Sequence, residues 1–119
     1  MISGTVQLYT KKVERFVHIS GVLFLNVDYR LAPVEPKTAM AEDVLKAVLW
    51  LKENGKKLGV DPERIALMGD SGGGAVAAGA AILVRDRKIG IARQILLYPM
   101  LDDRNATPDP YIAPFMTFG

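Results

Sequence analysis

The stretch Gly69-Asp70-Ser71-Gly72-Gly73-Gly74 decides the fold of this sequence. A short apolar run precedes it at residues 65–68, and small apolar residues follow it at 75–85. Glycines on both sides of a central serine form the pattern G-x-S-x-G, which is typical of a tight turn between a strand and a helix. Such a turn exposes the serine hydroxyl and points the next backbone amide toward the position of an oxyanion. We therefore predict Ser71 as a catalytic nucleophile and Gly72 as an oxyanion-hole donor, with the rest of the turn formed by Gly69, Asp70, Gly73 and Gly74.

Three other interpretations of this turn start from the same residues. A similar string carries the active serine of trypsin-like proteases, but that serine lies in a disulfide-bonded β-barrel, whereas this chain has no cysteine and a predicted helix after Ser71. Residues 72–77 also match the dinucleotide pattern G-x-G-x-x-A, which requires an acidic residue about 20 positions later. Asp86 comes too early for that role and Asp102 too late. The last interpretation is a glycine turn with an inert serine, because short motifs of this kind also occur by chance.

The segments around the turn alternate between helix and strand patterns. Residues 21–29 form a near-continuous apolar run, as in a strand buried on both faces. Residues after Thr38 repeat apolar side chains at helical spacing as far as Gly59, and residues 61–64 resemble a capped single turn. The full order predicted is helix 5–19, strand 21–29, helix 38–59, strand 65–68, helix 75–85, strand 91–98 and a loop thereafter. This alternation predicts one α/β domain over residues 1–119, with a parallel sheet covered by helices.

Composition excludes several function classes. With 119 residues and no cysteine, the chain has neither a disulfide framework nor a thiolate metal site. A net charge of +2 without long basic runs argues against a nucleic-acid partner. No apolar run reaches the length of a membrane span, and no signal peptide is visible, so a cytoplasmic location is the default expectation.

Three segments together resemble the hormone-sensitive-lipase-like esterases, also called the alpha/beta hydrolase fold-3 family. Residues 27–33 are close to the family motif V-D-Y-R-L-A-P-E, with Val34 in place of the final Glu. Residues 58–66 lead into the glycine turn, where Gly72 stands in place of the usual Ala. Residues 96–103 supply the third match, with the order and spacing of the family.

The resemblance implies hydrolysis of a small carboxylic ester through an acyl-enzyme on Ser71, without a metal or organic cofactor. It gives the Asp28-Tyr29-Arg30 motif a mainly structural role. It gives Asp70 a place beside the nucleophile, but no part in proton transfer.

The resemblance also implies that machinery is missing. The family's H-G-G-G oxyanion string does not occur, and its acid and base lie far downstream of the serine, where this sequence has no histidine. The single histidine, His18, falls in the first predicted helix and is expected to have no catalytic role, and Asp102 and Asp103 are weak candidates for the acid. The family strand that ends in H-G-G-G lies between strands 22–29 and 65–68, so these two must pair directly or leave backbone groups unpaired, at about 1–3 kcal/mol for each buried group.

These gaps predict a central fragment, lacking the N-terminal strands and the C-terminal part of an α/β-hydrolase fold. Alone, it is expected to be inactive and marginally stable. The alternative hypothesis is a non-catalytic fragment or pseudoenzyme that acts by completing its sheet with another chain. The sequence does not fix the oligomeric state.

Overall fold

Three helices and a parallel two-stranded sheet make up the described part of the chain. A computed structural model describes residues 5–31, 33, 36 and 38–102. The elements in chain order are α1 (Val6–Ser20), α2 (Ala39–Asn54), two 3₁₀ turns (Gly55–Leu58 and Pro62–Arg64), β1 (Ala66–Asp70), α3 (Ser71–Asp86) and β2 (Arg93–Leu97). In this part of the chain no helix is both long and apolar enough to cross a membrane.

The sheet and its crossover helix match the predicted α/β class. β1 pairs with β2 in parallel, from Ala66 opposite Arg93 to Asp70 opposite Leu97. Parallel neighbours need a crossover connection, and α3 provides it. The core forms where α2 and α3 pack together and onto β1, because each helix has an apolar stripe on that side. Its most deeply buried large side chains are Leu45 of α2 and Val84 of α3.

The helix ends agree with several sequence signals, but the helix predicted over residues 38–59 ends at Asn54, after which the first 3₁₀ turn begins. As predicted, Asp61 caps the second 3₁₀ turn by accepting a hydrogen bond from the amide of Glu63 at 2.9 Å. Gly59, the predicted stop, ends the first 3₁₀ turn in a left-handed conformation with φ +76°. Thr38 lies at the start of α2, but its hydroxyl donates to the Glu42 carboxylate at 2.8 Å rather than capping a backbone amide. A further difference is that α3 begins at Ser71 and not at residue 75.

The strand predicted over residues 21–29 is wrong. The described chain from Gly21 to Leu31 has no strand, and β1 pairs only with β2 in the sheet that the structure describes. The segment is also not buried on both faces, because Leu23 is 64% exposed and Leu25 49% exposed. Val27 and Tyr29 do pack against the core. The expected burial on both faces is therefore wrong as well, and strand pairing requires a neighbouring backbone, which the sequence pattern of one segment does not supply.

Arg30 ties the end of this segment to α2. Its guanidinium donates to both carboxylate oxygens of Asp43, at 2.7 and 2.8 Å, and its backbone amide donates to the same side chain at 3.2 Å. The hydrogen bonds from Arg30 hold the pKa of Asp43 far below its ordinary value. This contact agrees with the structural role that the resemblance implies for Arg30.

Candidate active site

Ser71 lies at the junction between β1 and α3, as the G-x-S-x-G pattern predicts. It is the first residue of α3 and has φ +50°, a left-handed conformation that is rare for a residue with a side chain. Conformations of this kind cost about 1–3 kcal/mol and persist only where the surrounding structure enforces them. Gly72 follows within the first helical turn, where backbone amides have no acceptor in their own helix. The junction thus places a partly exposed serine beside the backbone amides of the first turn of α3.

Two glycines make this tight turn possible. A Cβ on Gly69 would lie 2.3 Å from the carbonyl oxygen of Gly73, so the end of β1 and the start of α3 touch through their backbones. A Cβ on Gly74 would lie 2.7 Å from the Cβ of Pro99, which follows β2. The glycines therefore allow two close approaches that any side chain would block.

The chain after β2 donates hydrogen bonds to the same turn. The Met100 amide donates to the carbonyl oxygen of Ser71 at 3.0 Å. Tyr98, which also has a left-handed conformation with φ +38°, donates its hydroxyl hydrogen bond to Asp70 Oδ2 at 3.4 Å. Residues 98–100 thus hold the nucleophile turn from the side of β2.

Helix α1 contacts the turn through Lys12. The Lys12 ammonium donates to Asp70 Oδ2 at 2.5 Å and lies 5.7 Å from the centre of the Tyr9 ring. The hydrogen bond to Asp70 raises the pKa of Lys12 above its ordinary value. Burial raises the pKa of Tyr29, with smaller contributions from Tyr9 and Asp70. Among the described residues, the surroundings of the turn therefore include the Asp70 carboxylate, the Lys12 ammonium and the phenols of Tyr9 and Tyr29.

A large, mainly apolar groove opens beside the turn. Its volume is about 1120 Å³. One wall consists of α1 and residues 20–29, and the other consists of β1 with parts of α2 and α3. Gly69, Asp70 and Gly73 line its end, whereas Ser71 does not. The groove therefore meets the backbone on both sides of the nucleophile candidate.

The other candidates are one histidine and two aspartates. His18 lies exposed in the last turn of α1. Asp102 is exposed after β2, and Asp103 lies outside the described residues. Within residues 5–102, as far as they are described, no cluster of three or more histidines and carboxylates could hold a metal ion.

A protein-family model for the alpha/beta hydrolase fold matches residues 1–117. The chain belongs to the alpha/beta hydrolase fold family. The helix after Ser71 fits this family and not the serine loop of trypsin-like proteases, and residues 72–77 lie inside α3 rather than in a nucleotide-binding loop.

Relatives of this alpha/beta hydrolase carry esterase names. Over 83 residues it is 45% identical to Esterase LipI of Mycobacterium tuberculosis (strain ATCC 25618 / H37Rv), covering 67% of this chain and 25% of that protein. Over 85 residues it is 39% identical to an ethyl acetate hydrolase of Pseudomonas putida, covering 70% of this chain and 27% of that protein. The chain thus spans about a quarter of the length of these relatives.

Solved structures that resemble this chain are also named esterases. A bacterial heroin esterase superposes with a TM-score of 0.82 at 36% identity, over 89% of this chain and 34% of that one. The carboxylesterase EstE1, cloned from a metagenomic library, superposes with a TM-score of 0.81 at 33% identity, over 97% of this chain and 39% of that one. These matches confirm the predicted family and fold class.

Sequence reasoning missed the contacts of Lys12 and Tyr98 with Asp70. Lys12 has the same charge as its neighbour Lys11 and a helical position like many surface lysines, so no local signal marks it. Tyr98 lies within a segment that carries the family resemblance, which gave a weak indication of its importance.

Proposed function

We propose that this chain carries the nucleophile of a serine carboxylesterase, with Ser71 as the attacking residue. The observation that supports this most strongly is the left-handed Ser71 at a strand-to-helix junction, in a chain whose relatives are named esterases. The substrate class is a small-molecule carboxylic ester, and neither a metal nor an organic cofactor takes part.

The chemistry is acyl transfer in two steps. The Ser71 Oγ attacks the ester carbonyl while a base removes its proton, and the amide of Gly72 donates a hydrogen bond to the oxyanion. The C–O bond to the alcohol then breaks, the alcohol leaves with a proton, and Ser71 is acylated. Water attacks the acyl-enzyme, the acid is released and the hydroxyl is restored.

The described residues supply only part of this chemistry. His18 lies exposed on α1, and in residues 5–102, as far as they are described, no other histidine is present to take the proton of Ser71. Loss of triad members typically lowers rates by several orders of magnitude. We therefore expect negligible turnover of a p-nitrophenyl ester by this chain alone, and turnover that Ser71→Ala abolishes would contradict that expectation.

A chimera tests the role of Ser71 directly. This chain replaces the matching segment of Esterase LipI, so that the rest of that esterase supplies what the chain lacks. We expect hydrolysis of a p-nitrophenyl ester by the chimera, reduced by a factor of about 10³ or more in Ser71→Ala. Ser20→Ala at the end of α1 is the matched control and should keep the activity. An active chimera that is insensitive to Ser71→Ala would refute the proposal.

A second candidate function is association with another polypeptide through the groove. In the sheet that the structure describes, β1 pairs only with β2, so its other edge has no described strand beside it, and residues 66–69 line the groove. An open strand edge between apolar walls is a template for an added strand. The occupant that fits is an apolar strand of another chain, buried on both faces between α1 and the α2–α3 layer.

A peptide pair tests this alternative. We would measure binding of a fluorescent eight-residue Val/Ile/Thr peptide flanked by lysines, beside a version with two central prolines. Proline removes amide donors from a strand, so only the first peptide should bind and raise the unfolding midpoint. Equal binding of both peptides, or binding of neither, would exclude strand addition, and Ser71→Ala should leave this binding unchanged.

A further inference from the structure

We propose that Lys12 is a positioning residue for the nucleophile turn and acts through the carboxylate of Asp70. Nothing in the sequence motifs assigns a role to Lys12, which lies 58 residues away from Asp70 in the sequence. Its relevance to ester hydrolysis rests on the proposed function, but the contact itself does not.

Asp70 has a helix-capping position without a capping contact. Aspartate at the N-cap usually accepts a hydrogen bond from an amide of the first helical turn. Here Asp70 occupies the N-cap of α3 and makes no such bond. Its Oδ2 instead accepts from Lys12 at 2.5 Å and from Tyr98 at 3.4 Å. The carboxylate therefore joins separate elements rather than capping its own helix.

The Lys12 contact is important for the position of α1, because α1 has few other attachments in the described chain. None of the residues of α1 is buried, so apolar burial does little to hold this helix in place. Lys12 and Asp70 are partly shielded, with side chains 38% and 20% exposed. An ion pair of this kind is the described contact that connects the middle of α1 to the end of β1.

The contact acts on Ser71 because Asp70 directly precedes it. Asp70 Oδ1 lies 3.9 Å from the position that a Cβ on Gly73 would occupy, so the carboxylate lies against the turn itself. Residues 98–100 contact the same turn, since Tyr98 donates a hydrogen bond to Asp70 and the Met100 amide donates to the Ser71 carbonyl. Lys12 thus fixes, through Asp70, the backbone that holds Ser71 in its left-handed conformation.

Hydrogen exchange with mass spectrometry tests this inference on the intact chain. We compare the wild type with Lys12→Met, with the conservative Lys12→Arg, and with Lys11→Met as the matched control on the next residue of α1. We expect exchange in peptides from α1 and from residues 66–74 to be up to about fivefold faster in Lys12→Met, the range that a partly exposed ion pair allows. Lys12→Arg should restore slow exchange and Lys11→Met should not change it.

Two further measurements identify Asp70 as the partner. Lys12→Met added to Asp70→Asn should produce no additional acceleration, because the contact is already lost. Raising the salt concentration should reduce the difference between wild type and Lys12→Met. Additive effects, failure of Lys12→Arg to restore slow exchange, or acceleration confined to α1 with no change at residues 66–74 would each overturn the proposal. Exchange requires no turnover, so these outcomes are independent of whether Ser71 hydrolyses esters.

Discussion

Gly69→Ala should break the nucleophile turn through its backbone. The added Cβ would lie 2.3 Å from the Gly73 oxygen, 2.6 Å from the Gly73 carbonyl carbon and 2.9 Å from the Gly74 nitrogen. All three distances are below the 3.0 Å that real Cβ contacts keep, and all three atoms belong to the backbone, so no side chain can rotate away. The end of β1 must therefore separate from the start of α3.

The size of the effect follows from this geometry. Overpacking typically costs about 1–3 kcal/mol. We expect the upper end of that range, because the added Cβ would clash with three backbone atoms. Replacing glycine also stabilises by about 0.4–1 kcal/mol through the unfolded chain, which offsets a small part. We expect a net loss of about 2–3 kcal/mol, a large fraction of the stability of a small domain.

Urea unfolding followed by circular dichroism measures this loss, with Gly79→Ala as the control. Gly79 also lies in α3, but the nearest atom to its added Cβ is the Ala41 Cβ at 3.3 Å. Its tight contact is countered by a gain of about 1 kcal/mol in helix propensity, so its midpoint should change little. If Gly69→Ala unfolds at the same urea concentration as the wild type, the close approach between β1 and α3 does not exist and the argument fails.

Other substitutions probe the ion pairs and the core. Lys12→Met should lower stability at neutral pH, and its difference from the wild type should vanish as the pH rises beyond the raised pKa of Lys12, in pH-dependent urea titrations. Arg30→Met should make stability less sensitive to acid. The lowered pKa of Asp43 stabilises the wild type above about pH 4, and this contribution is lost as the pH falls. The urea midpoint of the variant should therefore change less than that of the wild type between about pH 6 and pH 3. Leu45→Ala should cost about 2–5 kcal/mol and Leu49→Ala much less, since Leu45 is 1% exposed and Leu49 36%. The wild-type chain should be only marginally stable, and a urea midpoint typical of a stable small domain would contradict this.

The sequence predicted the elements whose signals are local. The apolar stripes of α2, the cap at Asp61 and the stop at Gly59 all depend on neighbours within a few positions, and the structure has them. β1 and β2 were also predicted from local apolar runs, and their observed ends differ from the predicted ends by one or two residues. The fold class was therefore predictable from the order of these segments.

The remaining features depend on distant parts of the chain. Glycine disfavours helix, so the sequence suggested that α3 begins after Gly74; contacts across the turn, such as the Met100 amide on the Ser71 carbonyl, accompany an earlier start. The segment at residues 21–29 has strand-forming residues, but no described strand pairs with it. The ion pair between Lys12 and Asp70 joins residues far apart in the sequence, and nothing in the composition of α1 distinguishes it.

The G-x-S-x-G pattern encodes the shape of a turn more directly than it encodes reactivity. Gly69 is needed because two backbones touch there, and the left-handed Ser71 lies in the same turn. A reactive serine also requires a base at its hydroxyl, and the base comes from another part of a fold. The described residues meet the first requirement but leave His18 exposed on α1. The same motif can therefore support both an esterase and an inert turn, and the difference between them lies in the residues that reach Ser71 from elsewhere.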